Sequence, residues 1–331
     1  MTLSRDDLLG FAAASGFAPD TLEKVLRLAD LLGSIASHPF LRPRLALKGG
    51  TALNLFVLDV PRLSVDIDLN YIGTADRDAM LAERGLLEQA IRSACQRSDL
   101  AVKHIPAEHA GGLWRLSYRA VSSETATIQL DLNYLLRTPL WPTLALETHP
   151  LPGLVPVTFP VLDLHELAAG KLAALLARRA SRDVFDAREL LRLGTLDPAK
   201  LRLAFVVYGA ANRVDWRTVD AAAVTVSSRD SAEHLFPMLR TDLVPARTEG
   251  AAWTAALVAE CQELLGAVLP LTLEERAFLD AINDRGEIAP HLLTADPRLR
   301  AVIANHPALA WKAQNVRKHH GLDAQPPLVA P

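Results

Sequence analysis

Cysteine is scarce in this chain of 331 residues, which carries only Cys95 and Cys261. Two cysteines so far apart do not form the pattern of a disulfide framework or of a zinc site, both of which need closely spaced thiols. This scarcity is typical of proteins from the reducing cytoplasm. We therefore expect a cytoplasmic protein with neither disulfides nor zinc.

Strong net charge and long apolar runs are also lacking. The formal net charge is only -3, so the chain has no global basic field, and any contact with nucleic acid must come from a local basic patch. No run reaches the roughly 18 to 20 apolar residues that span a bilayer. The N-terminus, residues 1–7, is polar and acidic, unlike a signal peptide. We expect no membrane partner.

The patterns that are present predict strands mainly in the first half of the chain and helices in the second. Half of the residues are apolar, and the length suggests two domains. Six prolines between 138 and 162 predict extended or looped chain there. A hairpin loop is predicted at 121–125. Strands are predicted at 45–48, 63–71, 99–105, 113–121 and 126–135. Helices are predicted at 20–38, 51–58, 76–97, 163–193 (in one piece or two), 252–268, 273–284 and 297–317.

Two acids one residue apart, Asp66 and Asp68, form the first motif with chemical meaning. They lie on a predicted strand that alternates polar and apolar residues, so both carboxylates project from the same face. Like charges that close repel each other unless a cation lies between them. Carboxylate oxygens are the ligands that Mg²⁺ prefers.

A glycine pair, Gly49-Gly50, precedes these acids and opens the predicted helix 51–58. Glycine lets backbone N–H groups at a helix start approach phosphates without interference from a Cβ. An isolated Asp-x-Asp would more simply be a solvated strand face, but the glycine pair ahead of it favours a functional site. The phosphate-binding P-loop pattern is absent.

A third acid, Asp131, lies on the otherwise apolar strand 126–135. In a two-metal site it would complete the set of ligands, and it could accept the proton of an attacking hydroxyl. The alternative is an exposed strand position without a special role.

The predicted helix 163–193 carries one lysine, Lys171, on its apolar face. Such a lysine either extends its ammonium to solvent or binds a buried anionic ligand. Asp183 and Asp186 share a face farther along. The pairs Arg179–Asp183 and Arg182–Asp186 are spaced i, i+4, and such pairs commonly do no more than stabilise a helix by about 0.2–0.5 kcal/mol each.

The C-terminal region is basic and has one aromatic residue, Trp311, between His306 and the run Arg317-Lys318-His319-His320. A surface of this kind could contact RNA phosphates and stack on a base. Equally, it could be a helix that Trp311 packs into the core, with a charged end.

Together these residues resemble the AbiEii/AbiGii toxin nucleotidyltransferases, which include the mycobacterial MenT toxins. The resemblance covers about residues 45–320. The motifs that carry it are Lys48-Gly49-Gly50-Thr51-Ala52-Leu53, Arg62-x-Ser64-x-Asp66-x-Asp68, Glu166 to Leu172, Arg182-Asp183-x-x-Asp186, and His306 to Lys312 with Asn315-Val316.

The resemblance implies an α+β fold in which a polymerase β-like mixed sheet is flanked by helices and followed by a mostly helical C-terminal domain. We expect the nucleotidyltransferase domain to span 1–195, with its core at about 40–195. The helical domain would span 196–322, and the tail 323–331 is expected to be disordered.

By position, the resemblance also implies that Asp66 and Asp68 bind Mg²⁺ or Mn²⁺ and that Lys171 contacts the triphosphate of an NTP substrate. Asp183 or Asp186 would be a further essential acid, and Asp131 is our own choice for a third metal ligand. The residues expected to bind the nucleotide are Lys48, Gly49, Gly50, Thr51, Arg62, Ser64, Lys171 and Arg182.

The function implied is that of a toxin which transfers a nucleoside monophosphate to the 3′ end of tRNA, in a toxin–antitoxin or abortive-infection system, with a cognate antitoxin as partner. We expect the NTP between the strand face of Asp66, Asp68 and Asp131 and the helix of Lys171. Two alternatives stay open: transfer to a hydroxyl of a protein or small molecule, and a nucleotide-binding or antitoxin-binding module without turnover.

Overall fold

The computed structural model describes residues 3–104, 110–121 and 125–322. The chain divides into two compact units. The first comprises Met1–Arg137, Pro142–Asp163 and Ala232–Arg247, and the second comprises Thr138–Trp141, Leu164–Ser231 and Thr248–Pro331.

The first unit contains a seven-stranded mixed sheet. Its strands are β1 (Leu45–Lys48), β2 (Asp66–Tyr71), β3 (Ala101–His104), β4 (Gly111–Tyr118), β5 (Ala126–Asn133), β6 (Leu144–Glu147) and β7 (Thr158–Val161). Their order is β3-β4-β5-β2-β1-β7-β6. Because β2 pairs antiparallel with β1 and parallel with β5, the predicted strands that carry the acids are direct neighbours.

The alternation of β2 sets the two faces of the sheet. Ile67 and Leu69 are fully buried, while Asp66 and Asp68 on the other face are only half-buried. Helix α2 contacts β5 and β7 and contributes a row of buried leucines to the core. The helices of this unit are α1 (Arg5–Ser15), α2 (Pro19–Ala36), α3 (Gly49–Phe56) and α4 (Arg77–Arg97).

Two strands lie in the proline-rich stretch 138–162, where the sequence predicts only extended or looped chain. β7 places Pro160 within a strand of four residues and pairs with β1 through Leu47↔Val161. Proline cannot donate to a strand ladder, so the local pattern hides a strand that long-range pairing stabilises. The hairpin loop predicted at 121–125 falls largely on residues 122–124, outside the described residues, as does the predicted tail 323–331.

The second unit is helical. Its predicted first helix is broken at Arg179, which has a φ of 54°, and the predicted helix 297–317 is two helices because a new one begins at Pro307. Trp216 is fully buried and its ring lies 5.1 Å from that of Phe205. The helices are α5 (Leu164–Arg178), α6 (Ser181–Arg192), α7 (Pro198–Ala210), α8 (Ser228–Asp230), α9 (Gly250–Leu264), α10 (Leu273–Asp280), α11 (Pro297–Ala304) and α12 (Pro307–His319).

Helices α5 and α6 group with the helices that follow them, because α5 packs against α7 and α6 against α9. The domain boundary expected at residues 195 and 196 does not coincide with this grouping. Within the described part of the chain, no helix has both the length and the apolarity that a bilayer crossing needs.

Candidate active site

Three charged residues form one row across the sheet of the first unit. Lys48 at the end of β1 pairs with Asp68 of β2, which pairs with Asp131 of β5. Paired residues on adjacent strands project from the same face. The Nζ atom of Lys48 lies 3.8 Å from Oδ1 of Asp68 and 3.7 Å from Oδ2 of Asp131. Both distances exceed that of a typical N–H···O hydrogen bond, so the ammonium balances two carboxylates without being fixed by either.

The row has an excess of negative charge once Asp66 is included, two residues before Asp68 on the same face. Burial raises the pKa of the Asp131 carboxyl, Lys48 opposes this, and Asp68 adds to the rise, so that the pKa ends above its ordinary value. A raised pKa shows that the ionised form of Asp131 is incompletely compensated by its surroundings. An additional cation would compensate it.

The glycine pair permits the close approach of this row to α3. Gly49 has a φ of 72°, and a Cβ there would fall 2.0 Å from Oδ2 of Asp68. A Cβ at Gly50 would fall 2.7 Å from Oγ of Ser64 and 3.1 Å from Nη2 of Arg62. The first turn of α3 has no side-chain cap, and uncapped N–H groups at a helix start attract anions.

Thr51, expected among the nucleotide-binding residues, is fully buried. Its hydroxyl donates a hydrogen bond to the backbone carbonyl of Asp66. Asn54 similarly donates to the carbonyl of Gly50 at 2.9 Å. The Asn54 bond lies within α3, whereas the Thr51 bond ties α3 to the start of β2 and gives Thr51 a positioning role.

Arg62 and Ser64 are also expected to bind the nucleotide. The chain around them is hydrogen-bonded to residues 238–240, which are distant in sequence. Arg62 forms an isolated β-bridge with Leu239. The amide of Leu63 donates to the carbonyl of Met238 at 2.8 Å, and the amide of Arg240 donates to that of Pro61 at 3.1 Å. Arg62 itself is buried and donates to the carbonyl of Leu63. The sequence pattern gives no signal for this 238–240 segment, which is remote along the chain.

The chemistry of the donors fits a hard divalent cation. The donors are carboxylate oxygens, which suit Mg²⁺ and Mn²⁺. Across the part of the chain that is described, however, no three His, Cys, Asp or Glu side chains are gathered closely enough to form a complete ligand group. Asp68 and Asp131 instead lie near Lys48, and Asp66 lies two residues before Asp68 on β2.

The second unit holds a separate buried charge cluster. Nζ of Lys171, on α5, lies 2.8 Å from Oδ2 of Asp186 and 3.1 Å from Oδ1 of Asp183, both on α6. All three side chains are at most 8% exposed. The lysine that was expected to meet a buried anion therefore meets two carboxylates of its own chain.

Arg178 completes this cluster and was not among the expected site residues. It donates to Asp183 through Nε and through Nη2, the latter at 2.9 Å. Burial works to raise the pKa of Asp183, but the hydrogen bonds from Arg178 and the charge of Lys171 outweigh it, so the pKa lies below its ordinary value. The predicted Arg179–Asp183 pair is not formed, because the helix breaks at Arg179 and the i, i+4 spacing does not hold across the break. Arg182 lies half-buried in the first turn of α6.

Comparison with known proteins agrees with the expected resemblance. A family model described as nucleotidyl transferase AbiEii toxin, type IV toxin–antitoxin system, matches residues 30–313. Among solved structures, MenT4, a nucleotidyltransferase toxin from Mycobacterium tuberculosis H37Rv, is similar with a TM-score of 0.57 and 22% sequence identity, over 94% of this chain and 99% of that one. At this identity the likeness supports the fold. No curated protein sequence matches the chain.

The family match spans most of the chain, and the α+β fold with a mixed sheet agrees with it. Both the predicted resemblance and the predicted fold class are confirmed. The chain belongs to the nucleotidyl transferase AbiEii toxin family.

Proposed function

We propose that this nucleotidyltransferase transfers a nucleoside monophosphate from an NTP to the 3′-hydroxyl of a tRNA, in a metal-dependent reaction. The observation that carries the proposal is the Lys48–Asp68–Asp131 row beside the uncapped start of α3. Paired carboxylates suit a divalent cation, and a helix start next to a lysine suits the phosphates that accompany it. An NTP that carries a bound metal ion supplies both the divalent cation for the carboxylates and the phosphates for the lysine and the helix start.

Asp66 and Asp68 would hold Mg²⁺ or Mn²⁺, with Asp131 as a third carboxylate. The bound ion would neutralise charge on the triphosphate and lower the barrier to attack on the α-phosphorus. Asp131 would take the proton of the acceptor hydroxyl, a role that its place beside Asp68 in the row allows. The acceptor oxygen then bonds to the α-phosphorus while the bond from that phosphorus to its bridging oxygen breaks, and pyrophosphate leaves with the electron pair.

Phosphate binding would fall to residues around the glycine pair. Lys48 is held by two contacts longer than 3.5 Å, so its ammonium can turn towards a phosphate once another cation compensates the carboxylates. Arg62 and Ser64 line the side of Gly50 where a Cβ is excluded. The N–H groups of the first turn of α3 would complete the cradle.

Lys171 of the second unit would bind a phosphate group, the role that the family resemblance gives it. A lysine ammonium has three N–H donors, and the carboxylates of Asp183 and Asp186 accept two of them, which leaves one for a phosphate oxygen. Asp183 and Asp186 would then hold the ammonium in a fixed direction. This would explain why the resemblance implies that one of these two acids is essential. Arg182 would neutralise phosphate charge.

The expected partner besides RNA is a cognate antitoxin, because the family is that of a type IV toxin–antitoxin system. Two other outcomes remain distinct from the proposal: transfer to a hydroxyl on a protein or a small molecule, and nucleotide binding without turnover. The destination of the α-phosphate separates them.

The test is incubation of the protein with each α-³²P-labelled NTP, Mg²⁺ and total cellular RNA. We expect label in a tRNA-sized band with wild type, and none with Asp66→Ala, with Asp68→Ala or with EDTA. Label on protein or in small products would move the acceptor to those classes. Bound NTP without any release of pyrophosphate would contradict the transfer reaction altogether.

A further inference from the structure

Helix α12 leaves a large aromatic side chain out of the core. Trp311 is 46% exposed, and it is the only aromatic among the exposed large hydrophobic side chains of residues 3–104, 110–121 and 125–322. The helix is instead packed by Leu309 and Ala313, which are at most 1% exposed. The interpretation of Trp311 as a core residue of this helix is therefore wrong.

The exposed stripe of α12 that contains Trp311 is polar apart from the indole. Spacings of three and four residues place side chains on one side of a helix, and Trp311, Asn315 and Lys318 follow that spacing. We call this stripe the α12 surface. Its exposed members are Trp311, Gln314, Asn315, Lys318 and His319.

The region around the α12 surface is basic in a chain that is acidic overall. Residues 297–322 contain five Lys or Arg and no Asp or Glu, while the whole chain has a formal charge of -3. Arg300, Lys312 and Arg317 donate to backbone carbonyls. Lys318 is exposed and lies in the last turn. The positive charge of this segment and the exposed Lys318 favour contact with a polyanion.

We propose that the α12 surface binds the single-stranded 3′ end of the RNA acceptor, with a base stacked on Trp311 and phosphates beside Lys318 and His319. The proposal rests on the proposed function, which names RNA as the acceptor. An exposed aromatic ring next to cationic side chains is the combination that binds single-stranded nucleic acid. The amides of Gln314 and Asn315, between the ring and the lysine, can hydrogen-bond to base edges.

Two features of the α12 surface favour RNA over a role in helix stability or in protein docking. Basic residues in a last helical turn also stabilise the helix dipole, which would account for Lys318 and His319 but not for the exposed indole. A contiguous apolar patch, the usual mark of a protein-docking site, is not formed along the stripe, where Gln314, Asn315 and Lys318 place polar groups around Trp311.

The test is binding of a fluorescent RNA hairpin with a single-stranded 3′ tail to the full chain, measured by anisotropy over a salt series. We expect Trp311→Ala to weaken binding about ten-fold without changing the salt slope, and Trp311→Phe to restore most of the loss. Lys318→Ala should reduce the slope of log K against log salt by about 0.7. The controls Leu273→Ala and Arg276→Ala, at exposed positions of the same unit, should bind the RNA like wild type. All of these variants should bind NTP with wild-type affinity.

Three outcomes would each overturn the proposal. They are equal binding of the tailed and blunt hairpins, wild-type affinity in both Trp311→Ala and Lys318→Ala, and no RNA binding by wild type. Weaker capture of a purified protein partner by the variants, with unchanged RNA binding, would overturn it too.

The label-transfer assay separates failure of the α12 surface from failure of the proposed transfer reaction. Tail binding that depends on Trp311, without label on RNA, would refute the transfer proposal and keep the surface. If Trp311→Ala labels RNA with the wild-type KM for RNA, the α12 surface is refuted and the transfer proposal is kept. If Trp311→Ala fails to fold, the salt dependence of RNA binding by Lys318→Ala tests the proposal, and an unchanged slope would overturn it.

Discussion

The carboxylate of Asp68 lies directly against the α-carbon of Gly49. A Cβ at Gly49 would fall 2.0 Å from Oδ2 of Asp68, and the φ of Gly49 is 72°. Two independent constraints, space and backbone conformation, therefore exclude any side chain at this position. The start of α3 and the acidic face of β2 therefore meet at close range at this glycine.

Gly49→Ala should abolish transfer by displacing Asp68, with at least a hundred-fold loss expected in kcat/KM. The positive φ should also reduce the free energy of unfolding by about 1–3 kcal/mol. The matched control is Gly85→Ala within α4, where a Cβ meets nothing within 4 Å, and which should be neutral or stabilising by up to about 1 kcal/mol. Kinetics and denaturant melts check both; an active Gly49→Ala enzyme would contradict the proposed site.

Lys171→Met should destabilise the protein strongly, because it leaves Asp183 and Asp186 buried without their ammonium partner. Removal of one partner from a buried ion network costs about 3–5 kcal/mol. Urea denaturation measures the change, with the exposed Lys103→Met as control. A loss below about 1 kcal/mol, on the scale of surface ion pairs, would show that the cluster contributes little to the fold.

Acid should weaken the protein through Asp183. The pKa of this carboxyl is lower in the folded than in the unfolded chain, so its contribution to stability is present above the unfolded pKa and is lost as pH falls through the folded pKa. Asp183→Asn should lower the free energy of unfolding at pH 7 and flatten its decline below about pH 4. Unfolding curves at several pH values test this; the same decline in the variant would assign acid sensitivity to other groups.

Much of the site follows from local patterns in the sequence. The alternation around Asp66 and Asp68 predicts their common face. The apolar spacing around Lys171 predicts an ammonium that either reaches solvent or meets a buried anion, and the structure shows the buried arrangement. Contacts between distant residues left no such pattern. The bridge from Arg62 to Leu239 and the pairing of β7 with β1 depend on how the chain folds back on itself. Arg178 contacts Asp183, five residues away, across the helix break at Arg179, which the helical spacing does not predict.

Leu239→Ala should raise the KM for NTP by loosening the stretch that carries Arg62 and Ser64, while kcat changes little. A buried Leu→Ala change also costs about 2–5 kcal/mol, so kinetics should be measured well below the melting temperature. Val244→Ala, at an exposed position five residues after Leu239, is the control. Leu239→Met conserves volume and should restore KM. An unchanged KM in Leu239→Ala would remove the 238–240 segment from the positioning of the site.

The most direct test of the metal and nucleotide site is the binding of Mn²⁺ together with NTP, followed by electron paramagnetic resonance. Wild type should bind Mn²⁺ tightly in the presence of NTP. The double variant Asp66→Asn/Asp68→Asn should lose this binding while it stays folded, and the control Glu147→Gln, at an exposed position of β6, should retain it. Wild-type binding by the double variant, or no Mn²⁺ binding by wild type with any NTP, would contradict the assignment of the acidic row as the catalytic centre.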